Sequence, residues 1–252
     1  MRINSVPDHL GNPIGLPLGE VTKPGLPDPA VNLVGQYCHL EVLDADLHSD
    51  ELYEVFSIDT EGRLWTYMPQ GPFKSAADYR TWVEGAQHKA DPFFYAIIDS
   101  KTGKAVGVAS YLRVDPGASS IEVGWITFSP VIQQRPIATE AMYLMMKNVF
   151  EMGYRRYEWK CNALNAPSIS AAMRLGMSFE GLFRQATMVK GHNRDTAWFA
   201  ILDRDWPNAK AAFETWLAPE NFDENGNQRQ SLSALTAPIV ESRWPNLNIE
   251  IQ

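Results

Sequence analysis

The period of the apolar positions changes along this 252-residue chain, and each change predicts an element. Apolar and polar residues alternate in QYCHLEVL (36–43), the pattern of a half-buried strand. DADLHSDELYEVF (44–56) and SAADYRTWVEGAQ (75–87) repeat at helical spacing. Asp44 opens the first, and Ser75 with Asp78 makes a capping-box-like start for the second. FFYAIID (93–99) and AVGVASYLRV (105–114) are strands joined by a turn at 100–103, and Asp115-Pro116-Gly117 turns the chain into a further strand, IEVGWITF (121–128). Residues 136–152 form a helix that is apolar on nearly every side, through Ile137, Ala141, Met142, Leu144, Met145, Met146, Val149 and Phe150, and Gly153 closes it. YRRYEWKCN (154–162) is a strand. APSISAAMRLG (166–176) is a short helix with Asn165 as cap, Pro167 in its first turn and Gly176 at its end. MSFEGLFRQATMVKG and RDTAWFAILDRDW form a long hairpin around Gly191-His192-Asn193, and WPNAKAAFETWL (206–217) is a final helix.

The order is strand, two helices, three strands, helix, strand, helix, two strands. It predicts an α/β fold whose mixed sheet has hairpin meanders in its middle and helix crossovers around 133–176. Residues 1–30 are rich in Pro and Gly and predict an irregular arm that wraps over the body or packs on a second subunit. Residues 218–252 are polar, carry the pair Asn225-Gly226, and are expected to be extended.

Composition narrows the function. A net charge of −8 without a Lys/Arg run speaks against nucleic-acid binding. No stretch approaches the roughly 20 apolar residues of a membrane span, and MRINSVPDHLGNPIG lacks an apolar signal core, so a cytoplasmic protein is expected. Cys38 and Cys161 each fall inside a predicted strand and are read as buried thiols. The five histidines show no metal-ligand spacing, so no metal is expected.

The start of the 136–152 helix is the main chemical feature. Its first turn holds no acidic residue until Glu140, and Pro136 occupies the first helical position. The first amides of a helix lack internal partners and, with the macrodipole, present about half a positive charge. Gln133-Gln134-Arg135-Pro136-Ile137-Ala138-Thr139 adds a cation, a hydroxyl and small residues at the end of an apolar strand, where open α/β sheets bind ligands. The other reading is an ordinary polar helix start bound by water. The run is neither a Walker loop nor a dinucleotide fingerprint.

This run resembles the pyrophosphate-binding motif of the GNAT superfamily of acyl-CoA-dependent N-acyltransferases, Gln/Arg-x-x-Gly-x-Gly/Ala. Gln133 stands in its first place, Ala138 in its last, and Pro136 replaces the central glycine. Asn165-Ala-Pro-Ser168, followed by a helix ending in Leu175-Gly176, resembles a second family motif. Glu180-Gly181-Leu182-Phe183-Arg184 with Arg194-Asp195 resembles a third. Together they resemble the subgroup of ribosomal-protein alanine N-acetyltransferases over about residues 36–206. The resemblance implies a mixed, mostly antiparallel central sheet with splayed central strands, flanked by helices. It places the acyltransferase domain at 31–206, between the 1–30 arm and a C-terminal helix and tail at 207–252.

The resemblance also implies roles. The co-substrate is acetyl-CoA or another acyl-CoA, and the acceptor is a small-molecule or peptide amine. Gln133, Arg135, Ile137, Ala138 and Thr139 hold the CoA pyrophosphate, and the proline removes one amide from that cradle. The pantetheine arm pairs with strand 121–128 at Val123 and Trp125, and the thioester enters between that strand and 154–162. Asn165 holds the pantetheine amide, or only caps its helix. Ser168 protonates the leaving thiolate, or is only a first-turn residue. The attacking amine must lose a proton, since an ammonium has a pKa of about 7.7 to 10.4. Glu122 is the candidate base, or an exposed strand carboxylate; water relayed from Glu180 is the other candidate. Alanine-acetylating relatives carry a Glu at the position of Thr187. Backbone amides of 122–125 supply an oxyanion donor. Trp65 to Pro69 and Tyr111 to Arg113 form the acceptor pocket or pack in the core, and Trp125 faces the acceptor or the core. An acyl-Cys161 route lacks a His/Asp partner. The expected assembly is a monomer or homodimer. The alternative function is a catalytically degenerate, CoA-binding sensor of the same fold.

Overall fold

A computed structural model describes residues 3–19 and 23–245. A small hairpin of β1 (Ser5–Pro7) and β2 (Pro13–Gly15) stands apart. The main sheet holds β3 (Leu33–Val34), β4 (Cys38–Val42), β5 (Phe93–Asp99), β6 (Ala105–Asp115), β7 (Ser120–Phe128), β8 (Arg156–Asn162), β9 (Ser178–Val189) and β10 (His192–Leu202). Its order is β3-β4-β5-β6-β7-β8-β10-β9. Every neighbouring pair is antiparallel except β7 and β8. That pair is parallel because a helix, α3 (Pro136–Glu151), carries the chain back between them. The sheet is therefore mixed and mostly antiparallel, as expected.

Helices cover the two faces unequally. α1 (Ala45–Phe56) and α2 (Ala76–Ala86) place Leu52, Phe56, Tyr79 and Val83 against Phe94, Ala96, Ile98 and Val108. No residue of β8, β9 or β10 belongs to that cluster among the described residues. On the opposite face α3, α4 (Ala166–Arg174) and α5 (Trp206–Leu217) bury Met145, Val149, Ala172 and Phe213 against Tyr111, Ile121, Tyr157 and Phe199. The predicted caps form: Asp44 accepts from the amides of Asp46 and Leu47, and Ser75 from that of Asp78.

Glu140 fastens α3 to the sheet edge. It is buried, and its carboxylate accepts from the amides of Gln36 (2.8 Å), Tyr37 (2.6 Å) and Cys38 (2.8 Å). These are the amides of the β3–β4 connection, so one side chain satisfies a turn that would otherwise bury three unpaired donors. A Cβ on Gly35 would lie 2.5 Å from the Glu140 Cδ, which is why a glycine stands there.

Two expectations need correction. The 218–252 tail is not simply extended. A 3₁₀ turn at Pro219–Asn221 leads to a short helix, α6 (Leu232–Thr236), which Ser231 caps by accepting from the Ala234 amide. Leu232 and Thr236 are fully buried, and Thr236 Oγ1 donates to Arg174 O (3.1 Å), so the tail packs on α4 and α5. Five residues are too few for periodicity to reveal, and packing rather than propensity stabilises so short a helix. The second correction is the hairpin tip. It lies at Lys190 and Gly191, both with positive φ, so His192 and Asn193 already belong to β10. In the arm, Pro24 and Pro27 are buried, and Tyr154 donates to Gly25 O (2.9 Å). Residues 1, 2 and 20–22 of the arm and 246–252 of the tail lie outside the described residues.

Glu140→Gln removes the charge that three amides share and turns an N–H₂ toward one of them. The expected loss is about 3 kcal/mol in urea unfolding, and Gly35→Ala should lower the midpoint in the same direction by displacing the carboxylate. Wild-type stability in Glu140→Gln would show that the turn does not depend on this side chain. Leu232→Ala should cost about 2 to 4 kcal/mol, whereas a tail detached from the body would make it neutral.

Candidate active site

β7 and β8 are paired only from Ser120↔Arg156 to Val123↔Trp159. Beyond that, residues 124–128 of β7 and 160–162 of β8 continue as strands without each other, leaving a wedge between two neighbours of one sheet. The divergence has a local cause. Trp125 adopts φ +52°, and the β6–β7 register shifts between Ser110↔Gly124 and Val108↔Thr127. Two β7 residues thus oppose one of β6, a bulge that bends the strand. The Trp125 ring packs edge-on against Phe94 (5.8 Å) on the α1–α2 side, so its anchor is the core of that face. Val123 is the last residue paired across the gap, and Trp125 is the first beyond Gly124. Both residues expected beside the pantetheine therefore sit at the mouth of the wedge.

The start of α3 lies at the end of β7. Its cap residue is Arg135 in extended conformation; no side chain caps the helix, no acid stands in the first turn, and Pro136 opens it. Gln133 Nε2 donates to Phe128 O (3.0 Å), tying the loop to the strand end. Gln133 and Arg135 are exposed. Ile137 is buried in the core, so only its amide faces the loop chemistry, and the Ala138 amide bends back to Arg135 O (3.2 Å). Thr139 differs from expectation. It is buried, and its hydroxyl accepts from Arg174 Nη1 (3.0 Å), turned into the protein rather than toward an anion. Arg174 lies 4.9 Å from the Trp216 ring centre, and its burial lowers its pKa. No pattern in the sequence pointed to Arg174.

Ser168 approaches the wedge from the α4 side. Trp159 Nε1 donates to Ser168 Oγ (3.0 Å), leaving the serine proton free to point elsewhere. Cys161 shares this corner; burial pushes its thiol up to about 11, although Ser168, Arg194 and Trp159 pull the other way. Asn165 caps α4, its Oδ1 accepting from the Ser168 amide (3.2 Å). The cap does not use its Nδ2, so capping and amide recognition are compatible in one side chain.

The opposite face carries charge. β8 alternates, with Tyr157, Trp159 and Cys161 buried on the α4 side and Arg156, Glu158 and Lys160 on the other. Glu122 is not an exposed strand carboxylate: it is 2% exposed. Arg113 grips it through Nε (2.7 Å) and Nη2 (2.8 Å), and Lys160 Nζ reaches it at 2.8 Å. Three of its roughly four lone-pair positions are engaged by cations, which leaves little of the carboxylate open to a substrate. Lys160 also meets Glu158 (2.7 Å), Glu158 meets Arg156 (2.6 Å), and Arg156 meets Glu180. Burial alone raises Glu158, but the hydrogen bonds from Lys160 and Arg156 outweigh it and hold the carboxyl below its ordinary value. Glu180, the other candidate base, is thus engaged in this chain. Lys160 and Trp159 were missed as site residues, and Arg113 was read only as part of the acceptor pocket, because their relation depends on the β6–β7–β8 register.

Two tethers frame the mouth. Tyr67 donates to Leu164 O (2.9 Å), and Lys190 Nζ to Trp65 O (2.7 Å), so the loop after α1 meets both the β8–α4 connection and the tip of the last hairpin. Trp65 itself packs on Phe56 (5.6 Å) and Phe73 (5.2 Å), and Tyr111 is buried with its hydroxyl donating to Met145 O (2.7 Å). Those two aromatics are core. The apolar surface near the mouth comes from Phe183 stacked on Trp198 (4.3 Å), with exposed Leu164 and Met188.

Comparison with known proteins agrees with this fold. Residues 42–178 match the family model of the acetyltransferase (GNAT) domain, more than half of the chain. The crystal structure of a GCN5-related N-acetyltransferase from Brucella melitensis is 43% identical, with a TM-score of 0.83 over 86% of this chain and 98% of that one. An uncharacterized N-acetyltransferase of Bacillus subtilis, YnaD, is 26% identical over 156 residues, 60% of this chain and 88% of the relative. An acetyl transferase from Salmonella typhimurium, which modifies the N-terminal serine of a ribosomal subunit protein, is similar in fold: 21% identity, TM-score 0.59, 68% of this chain and 99% of that one. On the family match and the identity to a solved relative across most of its length, the chain belongs to the GNAT acetyltransferase family.

Proposed function

We propose that the protein moves an acetyl group from acetyl-CoA to a primary amine by direct attack. The observation that carries this reading is the uncapped, acid-free start of α3 at the end of β7, beside a wedge with Ser168 on one face and a chain of ion pairs on the other. A pyrophosphate suits that helix start because the Ile137 amide, the helix dipole and the Arg135 side chain offer a donor and positive charge, while Gln133 fixes the loop that presents them. Thr139 contributes its backbone to this cradle rather than its hydroxyl. Residues 124–128, past the β7–β8 pairing, offer a strand edge for the amides of the pantetheine arm, with Asn165 Nδ2 beside it.

Acetyl-CoA supplies an activated acyl carbon as a thioester. The amine nitrogen forms the C–N bond, the C–S bond breaks, and a proton ends on sulfur. Ser168, oriented by Trp159, is the donor to that sulfur and regains a proton from the water that takes up the amine proton, and the N-terminal end of α4 favours negative charge at the same place. Glu122 serves as the anchor of Arg113 and Lys160 rather than as the base. The acceptor reacts from its neutral form, since an ammonium has no lone pair with which to attack, and its proton leaves to water.

Two substitutions test the reading. Arg135→Glu should weaken CoA binding about ten- to a hundredfold in calorimetric titration at low salt, equivalent to about 1.4 to 2.8 kcal/mol, and the difference should shrink at high salt. An unchanged dissociation constant at low salt rejects the helix start as the site. Ser168→Ala should lower kcat about a hundredfold with little change in CoA affinity, the pattern of an interaction made mainly in the transition state; wild-type turnover would reduce Ser168 to a first-turn residue. A thiol-release assay over a panel of amines decides between transfer and a second reading. The full engagement of Glu122 and Glu180 by cations favours a CoA-binding protein without turnover, which would bind CoA and acetylate no amine.

A further inference from the structure

The charged face beside the wedge is balanced except at one residue. Arg113, Glu122, Lys160, Glu158, Arg156 and Glu180 form a continuous chain of alternating charge, three cations against three carboxylates. Arg194 is the charge left over. It stands on β10 directly opposite Thr187, which has no charge to offer. Its sequence neighbour Asp195 is turned away, accepting from the Gln185 amide (2.7 Å) and from Asn193 (2.9 Å). Among the described residues Arg194 forms no ion pair, and its Nε is buried without a hydrogen-bond partner; Trp198 Nε1, two positions further along the same face of β10, is in the same state. Arg194 lies just beyond the Thr196↔Asn162 pair that ends the β8–β10 ladder, and the Ala163 amide donates to Asp195 O (2.9 Å), so it stands at the end of β8 where the wedge opens. Burial lowers its pKa, although Cys161 and Glu122 pull the other way.

Buried donors without acceptors are costly, and a partly buried guanidinium without an anion more so. Both are explained by a ligand that brings oxygen acceptors and a negative charge to the mouth of the wedge. We infer that the acceptor amine carries a carboxylate next to its nucleophilic nitrogen, as an α-amino acid does, and that Arg194 binds that carboxylate. This rests on the acyl-transfer reading above and names its substrate class. A carboxylate matches the planar fork of a guanidinium, and its binding there sets the adjacent nitrogen at the wedge, where the acyl carbon must sit. The stacked Trp198 and Phe183, with exposed Met188, form an apolar wall for the acceptor side chain.

The probes are N-acetyl-L-phenylalanine, a product mimic with the carboxylate, and N-acetyl-L-phenylalaninamide, which lacks only that charge. Each is titrated calorimetrically into the full chain, with and without saturating CoA. The acid should bind about ten- to a hundredfold more tightly than the amide, as expected for a charge-assisted hydrogen bond. In Arg194→Gln the ratio should fall to about one, and in Arg194→Lys, which keeps the charge but loses the fork, it should fall only part of the way. Equal binding of acid and amide to the wild type, binding of neither, or an undiminished ratio in Arg194→Gln overturns the inference. Failure here with intact CoA binding and thiol release on other amines leaves acyl transfer standing. Discrimination by a chain that does not bind CoA leaves Arg194 as a carboxylate site and rejects the acyl-transfer reading.

Discussion

The structure turns on a parallel ladder that stops early. β7 and β8 share four register pairs and then part, although both strands continue. A sheet does not normally leave backbone donors and acceptors idle at its centre. Here the opening is enforced from the side, because the bulge at Trp125 is built into the β6–β7 ladder, and a tryptophan held in left-handed conformation persists only where its surroundings fix it. Phe94 and the α1–α2 core supply that restraint. Once β7 bends, its last residues aim at the start of α3, and Gln133 locks the two together. The gap and the positive helix end are thus one construction: the same bend that frees a strand edge delivers the helix terminus to its end.

The charged face follows from the same geometry. Past the gap, β8 and β10 have a core on the α4–α5 side only, so the alternate side chains of β8 meet no helix there. Ions on such a face are tolerable only if paired, since removing one partner of a buried pair typically costs about 3 to 5 kcal/mol. The alternation of sign from Arg113 to Glu180 meets that condition across four strands: it crosses from β6 through β7 to β8, follows every second residue of β8 from Lys160 to Arg156, and ends on β9. A chain of this kind also makes the wall of the wedge stiff: Lys160, 6% exposed on its side chain and lying 3.8 Å from the Trp198 ring centre, is held by two carboxylates and an aromatic face at once.

What the sequence revealed depended on how local each feature was. Helices with a cap and several turns of apolar period were legible, so 206–217 and 44–56 agree with the fold to within a residue. The bare helix start was legible for the same reason, because its defining features are consecutive residues. The mixed sheet followed from element order. Features that need the register were hidden. Glu122 looked like a strand carboxylate until Arg113 and Lys160, one from each neighbouring strand, met over it. Glu140 looked like an acid late in a helix start, yet it closes a turn about a hundred residues earlier in the chain. Trp65 and Tyr111 were ambiguous because an aromatic residue alone does not say whether it lines a pocket or fills a core. The helix at Leu232–Thr236 left no signal, being shorter than the window in which periodicity can be read.

The same nonlocal contacts bear on the route of the acyl group. Cys161 stands beside Ser168 at the gap, and a covalent acyl-cysteine would need its thiolate. Burial pushes that thiol up to about 11, so at neutral pH it stays a thiol. The groups that lower it, Ser168, Arg194 and Trp159, are outweighed, and no imidazole is among them. A neutral thiol in an apolar corner is a filler, not a nucleophile. Ser168, by contrast, is positioned by an indole N–H that takes up a lone pair and leaves the proton available, which suits a donor and not a nucleophile. Both side chains at the α4 edge of the wedge therefore fit the proposed transfer: Cys161 offers no nucleophile, and Ser168 offers a proton to a leaving sulfur.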